Sequence, residues 1–154
     1  MKPERKRDIE AIFTGLQSQN YLETSVETDH YNCIAWALND TQQWWWPTPR
    51  YGCYWPPGVP RDNKRETVTK VFEIHGYIKC DIDVTPEAGY EKIVIFEHPD
   101  WGVQHAARQL QDGEWTSKLG EWEDIKHKTP DSLKCDDYGK VVQVLKRRRK
   151  DWDV

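Results

Sequence analysis

The sequence predicts an α+β domain in which N-terminal helices pack on a C-terminal antiparallel sheet. Three observations carry that prediction. Apolar residues recur at helical spacing near the N-terminus. Beyond residue 91 they fall instead into short β-type runs. Asp112-Gly113, between two of those runs, marks a hairpin. Helices first and strands last is the segregation that defines the class.

The elements follow in order. Ile9, Ile12, Phe13 and Leu16 fall at i, i+3, i+4 and i+7, one face of a helix introduced by Pro3 and ended near Asn20. Cys33-Ile34-Ala35-Trp36-Ala37-Leu38 is apolar on every side, the mark of a buried helix, and Asn32 is placed to cap it. Residues 41–63 hold Trp44-Trp45-Trp46-Pro47, Tyr51 and Tyr54-Trp55-Pro56-Pro57-Gly58. Repeated proline and glycine exclude a long helix or central strand, so an ordered, irregular loop is expected. Loops of that length are often functional. Val68, Val71, Phe72 and His75 predict a third helix, closed by Gly76. Strands are expected at 93–96, 105–110, 115–119 and 141–145, with 123–133 a short irregular or helical stretch.

Composition bounds the function. The chain has 154 residues, the length of one domain, and 1–154 is read as such, with the first helix in 1–20 and a basic tail at 146–154. Mean hydropathy is −0.92, yet the chain carries nine Trp and seven Tyr, so a packed core is possible and is expected to be rich in tryptophan. No apolar run approaches the roughly 20 residues of a membrane span, and no apolar stretch follows the basic N-terminus as a signal peptide requires. The expected location is the cytoplasm. A net charge of −4 leaves no global nucleic-acid footprint, and the local run Lys146-Arg147-Arg148-Arg149-Lys150 reads as a solvated strand end or tail. The four cysteines make no CxxC pair, and His75, Cys80 and His98 lack compact ligand spacing, so neither a metal nor a cofactor is expected.

The candidate chemistry centres on Cys33 and His105. A thiol at a helix N-terminus meets unpaired N–H groups and the positive end of the dipole, which favour thiolate and can stabilise an oxyanion. The competing reading of Cys33 is a small buried hydrophobe. His105 opens a strand with Ala107 and Gln109 on its face. A Cys on a helix N-terminus followed by a His on a sheet strand is the arrangement of a nucleophile and its base. A third group should orient the imidazole. A two-residue turn at Asp112-Gly113 puts Thr116 and Lys118 on the His105 face, whereas a longer loop with a glycine bulge puts Trp115, Ser117 and Leu119 there. Lys118 disfavours an imidazolium, so Ser117 suits catalysis better, with Asp124 in reserve. His30, His75 and His98 are weaker candidates, and His127, flanked by lysines, reads as surface.

These motifs resemble the NlpC/P60 branch of papain-like cysteine hydrolases and the related CHAP amidases, over roughly residues 30–147. Asn32-Cys33-Ile34-Ala35-Trp36-Ala37 looks like their nucleophile helix, and 91–96 like the strand before the catalytic histidine. His105-Ala106-Ala107-Arg108-Gln109-Leu110 looks like the histidine strand, and Trp115-Thr116-Ser117 like the strand of the third residue. In that family the third polar residue, often His, stands about a dozen positions after the catalytic His; Ser117 occupies that place here. The same pattern, with Trp44-Trp45-Trp46-Pro47 and Trp115-Thr116-Ser117-Lys118-Leu119-Gly120, is similar to a bacterial domain family without an assigned activity.

The resemblance implies a cysteine hydrolase or transferase acting on an amide, isopeptide or thioester bond in a peptide or protein substrate. Cys33 is then the nucleophile, His105 the base and Ser117 its orienter, while Trp44, Trp45, Trp46 and Trp55 wall the cleft. The alternatives are a non-catalytic aromatic-rich binding module and a small bacterial toxin or defence component.

Overall fold

The computed structural model describes residues 1–49 and 52–150; Tyr51 and Trp152 lie outside them. Pro3 opens α1 (Pro3–Ile12), where its missing N–H costs no hydrogen bond. Then come β1 (Tyr21–Glu23), α2 (Cys33–Ala37), β2 (Trp44–Trp45), β3 (Cys53–Tyr54) and α3 (Arg65–Ile74). The remaining elements are β4 (Ile78–Cys80), β5 (Tyr90–His98), β6 (Gly102–Gln109), β7 (Trp115–Lys118), β8 (Asp124–His127), a 3₁₀ turn (Pro130–Leu133) and β9 (Lys140–Arg148). Seven strands form one antiparallel sheet in the order β1-β8-β7-β6-β5-β9-β4, and β2 pairs with β3 in parallel beside it. Among the described residues no helix is long and apolar enough to cross a membrane.

Both faces of the sheet are covered, which explains why the centre of β5 is buried without alternation. Ile93 and Ile95 join the cluster under α2, α3 and the aromatic loop, with Ile34, Val68, Phe72, Trp45 and Trp55. Val94 and Phe96 face the other way, towards Ile9 of α1, Phe13, Leu16, Trp115 and Leu133.

The fold departs from the sequence expectation in several places. α1 ends at Ile12, and Phe13 and Leu16 reach the core from the turns beyond it. Residues 123–133 are neither irregular nor helical throughout: they form β8 and the 3₁₀ turn. The three-residue strands β1 and β4 at the sheet edges are additional. The basic run is the end of a strand, as one of its two readings had it, but it is not solvated throughout. β9 extends to Arg148, and Arg147, 8 % exposed, turns inward, donating from Nε to the buried Glu91 at 2.7 Å and from Nη1 to the His75 carbonyl at 2.8 Å. Residues 151–154 of that proposed tail lie outside the described residues. Arg147→Ala is expected to destabilise the domain by about 3 kcal/mol in urea unfolding, because it leaves the Glu91 carboxylate buried with a weakened partner set. A loss no larger than that of a surface arginine would show that the pair contributes nothing.

Candidate active site

Cys33 is the first residue of α2, and the start of this short helix is pinned by its neighbours. The Asn32 side chain caps it, accepting from the Ala35 N–H at 3.3 Å and the Trp45 N–H at 3.0 Å, while its amide donates to the Trp45 carbonyl at 2.7 Å. Trp36 Nε1 donates to Thr116 Oγ1 at 2.8 Å, which ties the helix to β7.

The sheet beneath is irregular at this point. Phe96 pairs with His105 but Glu97 with Val103, so Gln104 is the extra residue of a bulge in β6. The β6–β7 ladder consists of Arg108–Thr116 and Gln109–Trp115, so it does not extend to Gln104–Ala106. Cys33 occupies that place. Its thiol donates to the Gln104 carbonyl at 3.9 Å, and the Ala106 N–H is directed at the sulfur. The nucleophile candidate therefore lies against the two peptide groups that flank His105.

The hairpin settles the register. Leu110 N donates to the Glu114 carbonyl at 2.7 Å, Gly113 N donates to the Leu110 carbonyl at 3.0 Å, and Gly113 has φ 91°. This is a longer loop with a left-handed glycine, and it turns Ser117 to the His105 side. His105 Nε2 lies 3.0 Å from Ser117 Oγ. Lys118 instead donates to the Thr28 carbonyl at 2.7 Å, and Asp124 accepts from the Tyr31 hydroxyl at 2.8 Å. Neither Lys118 nor Asp124 is hydrogen-bonded to the imidazole.

The polar chain continues to a residue that sequence reasoning assigned to the surface. Ser117 Oγ is 2.8 Å from His127 Nε2, and His127 Nδ1 is 2.8 Å from the Thr129 carbonyl. His127 is wholly buried. The signal that could have found it is strand alternation: lysines on both sides of a strand residue place that residue on the opposite face. His105 itself stacks on Tyr138 with centroids 4.2 Å apart and 7° between planes, and meets the Phe96 ring edgewise at 5.2 Å. Its Nδ1 is buried without a hydrogen-bond partner among the described residues.

Comparison with protein families matches residues 22–146 to a domain of unknown function, DUF7689. The chain belongs to the DUF7689 family. Comparisons with curated proteins and with solved structures give no match. The DUF7689 span takes in Cys33, His105, Ser117, His127 and Tyr138, and leaves α1 outside.

Burial dominates the electrostatics of the DUF7689 site. It pushes the Cys33 thiol up to about 11, although the N–H groups of Ala106, Ile34 and Cys33 act the other way. Burial, with His127 nearby, holds His105 well below its usual 6.5, and burial takes His127 to about 4 against the opposing effect of the Thr129 carbonyl. At neutral pH thiol and imidazoles are all uncharged. The expectation of a resting thiolate at the α2 N-terminus is thus corrected: desolvation outweighs the backbone N–H groups.

A cleft of about 220 Å³ opens at Cys33, lined by Asn32, Trp44, Trp46, Gln104, Gly120 and Tyr138. Of the four tryptophans expected to wall it, Trp44 and Trp46 do so. Trp45 and Trp55 are core residues, 5 % and 4 % exposed, with their indole N–H groups donating to Asp40 and the Pro60 carbonyl. A larger hollow of about 800 Å³, by Arg65, His98, Lys134 and Cys135, is lined by none of Cys33, His105, Ser117 and the four tryptophans. No group of three or more His, Cys, Asp or Glu among the described residues is arranged to hold a metal ion.

Proposed function

We propose that this DUF7689 domain is a thiol acyl-transfer enzyme, a cysteine hydrolase or transferase of papain-like type acting on an amide, isopeptide or thioester bond. One observation carries the reading. Ser117 occupies His105 Nε2, the other ring nitrogen has no partner among the described residues, and the Cys33 thiol is held against the backbone of the same histidine. A base oriented by a third group beside a nucleophile is the constellation such chemistry needs.

The uncharged resting pair defines the order of events. The Cys33 S–H first turns from the Gln104 carbonyl towards His105 Nδ1; its proton then passes to that nitrogen as the sulfur attacks the carbonyl carbon, forming the C–S bond and an oxyanion. The Nδ1–H of the imidazolium then protonates the departing amine or thiolate as its bond to carbon breaks. Water or another nucleophile releases the acyl group by the reverse transfer. Because deprotonation accompanies attack, the resting thiol is no standing thiolate, and its reactivity depends on His105. The cleft is smaller than a drug-sized pocket and walled by two indoles. It suits an extended, narrow substrate segment such as a peptide tail or a thioester-linked chain.

The test is acylation by p-nitrophenyl acetate at neutral pH, mapped by peptide mass spectrometry. Acetylation of Cys33 is expected, slowed about 100-fold or more in His105→Ala and lost in Cys33→Ala. Labelling that favours the more exposed Cys53, or that is indifferent to His105→Ala in a variant with unchanged circular dichroism, would overturn the reading.

A further inference from the structure

We infer that His127, acting through Ser117, is the positioning residue that keeps His105 in the tautomer whose Nδ1 is bare. The inference rests on the acyl-transfer reading above and adds the device that makes His105 a base towards Cys33.

The argument follows one proton at a time from the far end of the chain. The Thr129 carbonyl only accepts, so the nitrogen facing it at 2.8 Å, His127 Nδ1, carries a proton. A neutral imidazole has a single N–H, so His127 Nε2 accepts. Its partner at 2.8 Å is Ser117 Oγ, whose one proton is therefore directed at His127. The hydroxyl can then only accept from His105, so His105 Nε2, 3.0 Å away, bears the ring proton. Nδ1 is left with its lone pair, and it is the nitrogen without a hydrogen-bond partner among the described residues. Running the chain in the opposite sense requires a proton on both nitrogens of His127, a cation in a wholly buried position.

A serine alone could not do this. A hydroxyl rotates to offer either its proton or its lone pairs, so Ser117 by itself is compatible with both tautomers of His105. Its polarity is set by His127, and that of His127 by the Thr129 carbonyl. The carbonyl is held in turn: it also accepts from Ser132 Oγ at 2.6 Å within the 3₁₀ turn. The segment after α1 presses on that turn, where a Cβ at Gly15 would come within 2.8 Å of the Ser132 carbonyl oxygen. The anchor of the relay is thus a packed backbone group, and serine in the third position is sufficient because a second histidine stands behind it.

The experiment is ¹⁵N NMR of histidine-labelled protein, combined with the p-nitrophenyl acetate assay. In the unmodified chain near neutral pH, His105 is expected as the Nε2–H tautomer and His127 as the Nδ1–H tautomer. In His127→Phe, which removes the acceptor, the His105 Nδ1–H form is expected to appear, with Cys33 acetylation falling at least about tenfold. His127→Gln, whose amide oxygen reaches the same place, is expected to recover much of the Nε2–H form and of the rate. An Nδ1–H tautomer of His105 in the unmodified chain, a test that needs no variant to fold, would overturn the inference. So would an unchanged tautomer in His127→Phe. These outcomes are distinct from failure of the acyl-transfer reading, which shows as acetylation indifferent to His105→Ala whatever the tautomers are.

Discussion

Acidification from neutral pH to about pH 4 is expected to remove roughly 3 kcal/mol of stability through His127 alone. In the unfolded chain a histidine takes up its proton near pH 6.5. In the folded domain burial delays that uptake at His127 to about 4. Between those values the unfolded state binds more protons, so stability is fully present above pH 6.5 and is lost as the pH falls towards 4. His105 acts in the same direction, since burial and its neighbour hold it well below 6.5. Asp124 opposes the trend, because burial raises its carboxyl and its protonation favours the folded state. The lowered carboxyls of Glu10, Asp62, Asp83 and Asp112 add to the loss at the acid end of the range. Urea unfolding midpoints measured in steps from about pH 7 to pH 4 check this. The slope should correspond to uptake of about two protons on unfolding. A flat profile through that window would mean that the two histidines are not buried neutral.

Gly139→Ala is expected to cost about 4 kcal/mol and to disturb the site as well as the fold. Gly139 has φ 75°, in the left-handed region that side chains rarely adopt. A Cβ there would overlap the Glu97 carbonyl oxygen and lie 2.8 Å from the His98 nitrogen. Both are backbone atoms of β5, which cannot swing aside as a side chain would. Lys140, the next residue, pairs with Glu97, so relief has to come from parting β5 and β9. Tyr138, the preceding residue, would lose its parallel stack on His105. Gly89→Ala is the control: its φ is 81°, but nothing lies within 4 Å of the added carbon, so only backbone strain of about 1 kcal/mol is expected. Thermal unfolding of the two variants side by side decides the matter. Equal losses would show that the close approach of Gly139 to β5 is unimportant.

Much of this arrangement was legible in the residues. Asp112-Gly113 located the hairpin, and Asn32 with its apolar run located α2 and put Cys33 at its start. The two registers of the hairpin were distinguishable in principle but not in fact. A glycine in the left-handed region serves a two-residue turn and a bulged loop alike. His127 escaped because its lysine neighbours suggest solvent until the segment is known to be a strand, and a four-residue strand is too short to display its period. β1 and β4 escaped for the same reason. Within the basic run Arg147 misled, because charge density is visible in sequence whereas its buried partner, Glu91, lies 56 positions earlier. Trp45 and Trp55 could not be separated from Trp44 and Trp46 by composition. What separates them is whether each indole faces the core or the cleft.

The bulge at Gln104 has a counterpart. On the other side of β5 the register with β9 slips between Ile95 and Phe96, so that Val142 is an extra residue at nearly the same level. Three neighbouring strands therefore lose continuous pairing together, at the end of the sheet where the thiol sits. A bulge leaves a residue outside the ladder and disrupts the pairing beside it. Local opening is therefore expected to be easier at this end of the sheet than at the continuously paired centre of β5. The Gln104 carbonyl that holds the Cys33 thiol belongs to the bulge, so the resting acceptor of the thiol is a peptide group outside the regular ladder.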